Sequence, residues 1–292
     1  MNISLTGLRA TGGIETSVAE LMKRIPNPEY SISVSDVNKK TDILWMHQAH
    51  DQPCVQNLKY TQDNFKKIVF VSDWQSSMFQ KYLEIRPNKC IVIGNGVNPL
   101  PIYTKPTDCI NLFYSSTPFR GLDVLIESFR QLELPNVYLH IFTGMGIYGR
   151  SDEPYLKLYE SSKRIPNIRF YGAVAPVFLH EWIARYGHIF TYPNTWEETY
   201  CIAAHEAMSG RAIILTPDLG ALNSTCPNSH SYEYTKDKIK HSQIFIQRLK
   251  HLIEFYPEYT MVLEEQKKYA DGLNWDYRAT QWLDLFSKIK YE

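Results

Sequence analysis

Two glutamates eight residues apart, Glu198 and Glu206, are the residues of this sequence best suited to bind a polar ligand. A strand-like run ends before them at Tyr192, and a polar loop leads into a helical pattern over 200–208. Free N–H groups and a positive dipole end at a helix start suit a phosphate. Carboxylates beside such a helix start suit sugar hydroxyls. The small apolar residues around Glu206 predict a buried helix, in which an unpaired carboxylate would be costly.

A cation and several small residues stand where other predicted elements begin or end. Arg120 precedes a predicted helix, where the helix dipole disfavours a cation, so an anionic partner is expected. Ser115 and Ser116 end the preceding strand, and Ser116 is a candidate phosphate contact. Gly12 and Gly13 lie between the first predicted strand and its helix, where glycine allows a ligand to approach the backbone closely.

His47 follows the apolar strand 42–46, and His50 comes three residues later. Both imidazoles have ordinary pKa values near neutrality and are therefore candidates for proton or hydrogen-bond chemistry. Three aromatic residues near the same predicted strand ends are interpreted as packing residues rather than stacking platforms: Tyr114, Tyr192 and Trp196.

Positioning these residues requires alternating strands and helices, and the sequence has that pattern. Apolar runs of strand length alternate with helical spacing, which predicts an α/β fold with parallel sheets. The pattern breaks at 95–106, where glycine and three prolines indicate a linker. We therefore predict two Rossmann-like domains, 1–98 and 99–273, facing each other across a cleft. Ligands of such sheets bind beyond the carboxyl ends of the strands.

Composition limits the classes of partner. The 292 residues carry 31 basic and 31 acidic side chains, so clustered positive charge for nucleic-acid binding is not indicated. The five cysteines form no C-x-x-C pair, which favours a reducing compartment and a cytoplasmic location. We see no apolar run of about 18 residues and no leader-like start, whereas peripheral membrane contact stays open.

Several segments, in order along the chain, resemble retaining GT-B glycosyltransferases of family 4. The two glutamates resemble the family's E-x7-E signature. Five further segments agree in order and spacing: Gly12-Gly13-Ile14-Glu15, Val92-Ile93-Gly94-Asn95-Gly96-Val97-Asn98, Arg120-Gly121-Leu122-Asp123, Phe170-Tyr171-Gly172, and Asn274-Trp275. The resemblance covers nearly the whole chain.

This resemblance implies a GT-B fold in which a last helix, 274–292, packs back on the N-terminal domain. It implies transfer of a sugar from a nucleotide-sugar donor to an acceptor that the sequence does not identify. Glu198 would face the transferred sugar, Glu206 would bind the ribose, and Arg120 would take the place of the family's diphosphate-binding lysine. His47 would contact the transferred sugar. The leaving phosphate would help to remove the acceptor proton on the same face of the sugar.

Three departures from the family pattern affect the predicted donor site. Thr199, Tyr200 and Cys201 replace the usual Gly-Phe-Gly, so we expect an altered diphosphate pocket in which the Thr199 hydroxyl compensates. Phe113-Tyr114 replaces the usual Gly-Arg, which removes one basic diphosphate contact. The N-terminal domain is about half the usual size.

No D-x-D motif occurs in the sequence, so we predict that no metal or other cofactor is required. The diphosphate charge would then be met by Arg120 and the helix start. Two alternatives remain at this stage: a catalytically weak or inactive GT-B nucleotide-binding protein, and a sugar-phosphate-processing GT-B enzyme such as an epimerase or a phosphorylase.

Overall fold

The computed structural model describes residues 3–4 and 12–290 and has two parallel β-sheets covered by helices. The first sheet has five strands in the order β1-β2-β3-β4-β5. Its strands are β1 (Ile3–Ser4), β2 (Ile32–Val34), β3 (Ile43–Met46), β4 (Lys67–Phe70) and β5 (Cys90–Val92), and its helices are α1 (Gly13–Arg24), α2 (Leu58–Thr61) and α3 (Asp73–Leu83). All four residues of β3 are buried, as expected for a central parallel strand covered on both faces.

The second sheet has six parallel strands in the order β11-β10-β9-β6-β7-β8. Its strands are β6 (Ile110–Ser115), β7 (Val137–Phe142), β8 (Ile168–Phe170), β9 (Ile189–Thr191), β10 (Ile213–Asp218) and β11 (His230–Glu233). Its helices are α4 (Leu122–Arg130), α5 (Leu156–Lys163), α6 (Pro176–Tyr186), α7 (Ile202–Ser209), α8 (Leu222–Thr225), α9 (Lys238–Glu254) and α10 (Thr260–Gly272). The strand order reverses between β6 and β9, so this sheet has its topological switch point there.

The last helix, α11 (Trp275–Lys290), packs on the first sheet although it follows the second in sequence. Trp282 is fully buried and meets Trp45 of β3 edge to face, with ring centroids 5.0 Å apart. Phe286 packs on Tyr30 in the same core, with ring centroids 5.6 Å apart. The predicted α/β fold and the predicted return of the last helix are therefore confirmed.

The linker between the sheets is tightly enclosed. A Cβ atom at Gly94 would lie 2.7 Å from both Arg278 and Tyr200, and one at Gly96 would lie 2.6 Å from the ring of Trp275. Real Cβ atoms do not approach other heavy atoms so closely, so both positions require glycine. The division of the chain into domains 1–98 and 99–273 stays a prediction.

Several elements differ from the sequence prediction, among them the short helices α2 and α8, which were not predicted. Helix α7 begins at Ile202, two residues later than predicted, because Cys201 has a left-handed backbone with φ of 71°. Strand β11 was not predicted, since it is an edge strand of mixed polarity. Helix α5 was not predicted either, since its sequence is largely polar and only Tyr159 and Ser162 are buried.

Candidate active site at the switch point of the second sheet

The switch point brings together two loops that carry predicted site residues. Leu112 and Phe113 of β6 pair with Ile189 and Phe190 of β9, so the two strands end side by side. The loop after β6 leads to Arg120, and the loop after β9 leads to Glu198. A side chain at 121 is excluded, because a Cβ there would lie 2.0 Å from the Pro193 carbonyl oxygen, and Gly121 has φ of 93°.

Glu198 and Arg120 form a buried ion pair between these loops. Arg120 Nη1 donates to Glu198 Oε1 at 2.8 Å, and Glu198 is 3% exposed. The Tyr192 hydroxyl donates to the same carboxylate oxygen and lies 3.4 Å from Ser116 Oγ. The sequence prediction of an anionic partner for Arg120 is therefore met within the protein by Glu198.

Arg120 keeps its charge despite the burial of its guanidinium. Burial lowers the pKa of Arg120, but the neighbouring Glu198 charge more than offsets this, so the pKa lies well above its ordinary value. Burial and the Glu198 charge raise the pKa of Tyr192 well above its usual range, so this phenol stays a hydrogen-bond donor. Breaking a buried pair on one side leaves an uncompensated charge, which costs roughly 3–5 kcal/mol.

Three buried polar atoms at the end of β6 and in the loop that follows it have no hydrogen-bond partner within residues 12–290: Arg120 Nε, Ser115 Oγ and Thr117 Oγ1. A buried donor without an acceptor costs free energy, and native proteins rarely leave one unpaired without reason. One guanidinium N–H and two hydroxyls are the donors that a phosphate accepts from. The side chains present therefore fit an anion at the carboxyl edge of this sheet.

The backbone of Glu198 is held by the segment that follows β10. The Ala221 N–H donates to the Glu198 carbonyl at 2.7 Å, and Glu198 forms an isolated bridge with Gly220. A Cβ at Gly220 would lie 2.5 Å from both the nitrogen and the oxygen of Glu198, and its φ is 67°. The glycine thus permits the contact that holds this carboxylate in place.

Glu206 lies in α7 and has a different kind of partner. Its Oε1 atom is 2.8 Å from His180 Nε2 of α6, and the two side chains are 19% and 23% exposed. Burial lowers the pKa of His180, but the hydrogen bond and charge of Glu206 outweigh it, so the pKa is raised overall. The predicted need for a partner of Glu206 is thus met by a residue that the sequence did not single out.

Thr199 and Tyr200 use their hydroxyls to bind backbone carbonyls of other segments, and Cys201 is buried. Thr199 Oγ1 donates to the His47 carbonyl at 3.1 Å and so joins the two sheets. The Tyr200 hydroxyl donates to the Asn95 carbonyl at 2.8 Å. Cys201 is 7% exposed and lies in the hydrophobic core of the second sheet. Burial raises the pKa of its thiol well above the ordinary value. Donor contacts by these three residues stay a prediction.

Arg278, a residue that the sequence analysis did not single out, also binds the Tyr200 hydroxyl. Its Nη2 donates to the Tyr200 hydroxyl at 3.0 Å and its Nε to the Asn95 carbonyl at 3.1 Å. The Tyr200 ring stacks on His205 with centroids 4.6 Å apart. The loop before α7, the linker and α11 therefore meet at one buried hydrogen-bonded cluster.

His47 lies at the carboxyl end of β3, facing the loop that carries Glu198. Its ring is 4.7 Å from that of Trp45, and its Nε2 is buried with no partner in the described part of the chain. Burial lowers the pKa of His47 to about 3, so its imidazole is neutral at physiological pH. His50 instead stacks on Tyr82, with centroids 4.8 Å apart, outside this arrangement.

Gly12 and Gly13 bring the first sheet against the second. The Gly12 N–H donates to Glu15 Oε2 at 2.8 Å, which caps α1. A Cβ at Gly12 would lie 3.3 Å from the Tyr148 ring, and one at Gly13 would lie 3.2 Å from Ile202 Cδ1 at the start of α7. Both glycines therefore border the space between the two sheets, and their predicted contact with a ligand stays a prediction.

The remaining aromatic candidates pack as predicted, with one addition. Tyr114 donates to the Thr117 carbonyl at 2.6 Å, and Trp196 meets Phe119 edge to face at 5.6 Å. Tyr192 stacks on Phe190 through its ring, but its hydroxyl also binds Glu198. No sequence signal distinguished this hydroxyl, since the contact depends on the fold of the loop.

Among the described residues, no three His, Cys, Asp or Glu side chains are grouped to hold a metal ion. Within the same residues, no helix has the length and apolar character needed to cross a bilayer. Metal independence stays a prediction.

No family model matches the sequence, and no curated protein does either. Solved structures do match. Sucrose-phosphate synthase from Thermosynechococcus elongatus aligns with 97% of this chain and 82% of its own, at 13% identity and a TM-score of 0.73. Anabaena HepE, solved in complex with UDP-glucose, aligns over 98% of both chains at 12% identity and a TM-score of 0.72.

A third match is the pneumococcal O-GlcNAc transferase GtfA, solved with UDP and GlcNAc, at 13% identity and a TM-score of 0.67. It aligns with 94% of this chain, and this chain spans 60% of the length of that enzyme. These similarities show that the chain has the GT-B fold.

Proposed function

We propose that this chain is a glycosyltransferase that moves a sugar from a nucleotide-sugar donor to an acceptor, with retention of anomeric configuration. The observation that carries the proposal is the Arg120–Glu198 pair at the switch point, together with the unpartnered donors at the end of β6 and in the loop that follows it. It sets an anion-binding cation beside a carboxylate that can accept from sugar hydroxyls. The UDP and UDP-glucose bound to two of the similar structures support a donor of this class.

The donor diphosphate would lie against Arg120, whose free Nε and the hydroxyls of Ser115 and Thr117 need acceptors. The N-terminus of α7 contributes N–H groups and a positive dipole end on the same edge of the sheet. Ser116, which is close to Tyr192, would join these contacts when the diphosphate is bound. With this charge supplied by the protein, donor binding needs no metal.

The ribose would be bound by Glu206, and the transferred sugar would face Glu198. The backbones of Gly12, Gly13 and 199–201 border the same space and would line the donor site. The neutral imidazole of His47, with its unpartnered Nε2, would contact the transferred sugar from the side of the first sheet.

In the reaction, the bond between the anomeric carbon and the diphosphate oxygen breaks, and the acceptor oxygen forms the new bond on the same face. The acceptor proton passes to the leaving phosphate oxygen. Positive charge develops at the anomeric carbon and ring oxygen, which the Glu198 carboxylate stabilises. Arg120 stabilises the negative charge that accumulates on the diphosphate.

The test is nucleotide binding followed by turnover. UDP, GDP, ADP and dTDP are titrated by calorimetry, and the matching nucleotide sugars are then incubated with the protein while free nucleotide is measured. Binding of at least one nucleotide and release of that nucleotide from its sugar are expected. Glu197→Gln is the matched control for Glu198→Gln, because Glu197 is the exposed neighbour.

Two results would contradict the proposal. Absence of binding by all four nucleotides at millimolar concentration removes the donor site. Tight binding without any release from the cognate sugar favours the inactive nucleotide-binding alternative.

A further inference from the structure

Among the histidines of the described residues that have a resolved pKa shift, His180 is the one whose pKa is raised, and its partner is Glu206. Burial lowers the pKa of six histidines of the described chain: His47, His140, His188, His205, His230 and His241. The pKa of His180 is raised, because Glu206 more than offsets its burial. His180 therefore has a strong anionic partner that those histidines lack.

Only one of the two carboxylate oxygens of Glu206 has a hydrogen-bond partner among the described residues. His180 Nε2 lies 2.8 Å from Oε1, whereas Oε2 has no hydrogen-bond partner among residues 12–290. The Glu206 side chain is 19% exposed, so Oε2 is open to a ligand that displaces water. A carboxylate on a helix surface ordinarily samples several rotamers, and one short charge-assisted hydrogen bond restricts that choice.

We propose that His180 is a positioning residue for ribose recognition: its Nε2–H holds Glu206 Oε1 so that Oε2 accepts from a ribose hydroxyl of the donor. This inference rests on the proposed function and adds to it a residue from α6. The α6–α7 contact then contributes to the selection of ribonucleotides over nucleotides that lack these hydroxyls. His180 acts through Glu206 and need not touch the nucleotide.

The proposal predicts a specific form of coupling. A hydrogen bond to a charged group contributes roughly 1.5–3 kcal/mol, which corresponds to about ten- to a hundredfold in affinity. Loss of His180 should therefore weaken binding of a ribonucleoside diphosphate by about tenfold. Binding of the 2′,3′-dideoxy form should change by less than about twofold, because that ligand has no hydroxyl for Glu206 to bind.

The experiment compares His180→Leu, His180→Gln, Glu206→Gln and the double variant His180→Leu/Glu206→Gln with the wild type. The probe is whichever of UDP, GDP, ADP and CDP binds most tightly, in its ribo and 2′,3′-dideoxy forms. For each protein, calorimetry measures the ratio of the Kd of the dideoxy form to the Kd of the ribo form. General damage to the fold weakens both forms alike and leaves the ratio unchanged.

We expect the ratio to fall by about tenfold in His180→Leu and to return to within about threefold of wild type in His180→Gln, whose amide N–H replaces Nε2–H. The double variant should have the ratio of Glu206→Gln alone, since the two residues act as one unit. Glu181→Gln, an exposed change one residue along α6, is the control and should leave the ratio unaltered.

An unchanged ratio in His180→Leu overturns this inference while leaving the proposed function intact. Additive losses in the double variant overturn it as well, because His180 would then act independently of Glu206. If no ribonucleoside diphosphate binds to the wild type, the proposed function falls and the inference falls with it.

Discussion

The two glutamates of the site lie eight residues apart, yet their surroundings are opposite. The side chain of Glu198 is 5% exposed, and it is paired with a guanidinium that never loses its charge. That of Glu206 is 19% exposed and is paired with an imidazole that titrates. The difference shows that depth of burial selects the partner: a deeply buried carboxylate requires a permanent cation, whereas a partly hydrated one tolerates a titratable group.

The largest effect is expected for Glu198→Gln. Turnover should fall on the order of 10²-fold, because the charge that stabilises the transition state is lost. Nucleotide affinity should change by less than about threefold. The variant should also be less stable, because Gln keeps an acceptor oxygen for Arg120 but removes the charge that balances the guanidinium.

Urea unfolding with kcat and Kd on one protein preparation checks all three quantities, with Glu197→Gln as the control. If Glu198→Gln retains near-normal kcat, the sugar-facing carboxylate lies elsewhere, and exposed Glu197 becomes the next candidate.

Glu206→Ala should weaken nucleotide diphosphate binding by about ten- to a hundredfold while leaving the fold intact, since one charge-assisted hydrogen bond is lost. Its stability loss should be smaller than that of Glu198→Gln, because His180 is half-buried and becomes neutral when unpaired. Calorimetry and urea unfolding measure the two quantities. Wild-type affinity in this variant would show that Glu206 does not bind the ribose.

Tyr192→Phe should lower kcat by about tenfold, which is less than Glu198→Gln. The ring and its packing remain, and Arg120 still holds the carboxylate, so only one hydrogen bond to a charged group is removed. Steady-state kinetics on the cognate donor measures the change. Tyr114→Phe removes a hydroxyl that donates to the Thr117 carbonyl and not to Glu198, and it is the control. Equal losses in both variants would contradict a specific role of the Tyr192 hydroxyl.

The two pairs should also differ in pH dependence. Because the pKa of folded His180 is raised above its unfolded value near 6.5, its stabilising effect is complete below pH 6.5 and is lost as pH rises through the folded pKa. The stability difference between wild type and His180→Gln, on the order of 1 kcal/mol at pH 6, should therefore shrink towards pH 9. The difference for Glu198→Gln should stay constant over the same range. A flat His180 profile would mean that the imidazole does not pair as a cation.

The smallest effect is expected from metal removal. Because Arg120 and the α7 N-terminus supply the positive charge, EDTA should leave the Kd of the nucleotide diphosphate within about threefold. Calorimetry with and without EDTA, and with added Mg²⁺, makes the comparison. A loss of more than about tenfold in EDTA would contradict metal-independent binding.

Most of the strands were predictable from the sequence. Parallel strands that are buried on both faces consist of continuous apolar runs, such as that of β4. Arg120, Glu198 and Glu206 were predictable because each stands at a strand end or in the following helix. Tyr192 and His180 were not singled out as partners. Their contacts depend on which strands are neighbours and on how α6 packs against α7, and neither is encoded in local spacing.

The position of α11 has a consequence for how the chain folds during synthesis. The core of the first sheet includes Trp282 and Phe286, which leave the ribosome after the whole second sheet has been made. The second sheet, with β6 to β11 consecutive in sequence, has its strands complete before then. Chain synthesis adds roughly 5–20 residues per second, so Trp45 is not covered by α11 until the whole second sheet has been made. Until α11 is made, the apolar side chains that Trp282 and Phe286 cover stay exposed, and exposed apolar surface of this kind favours aggregation.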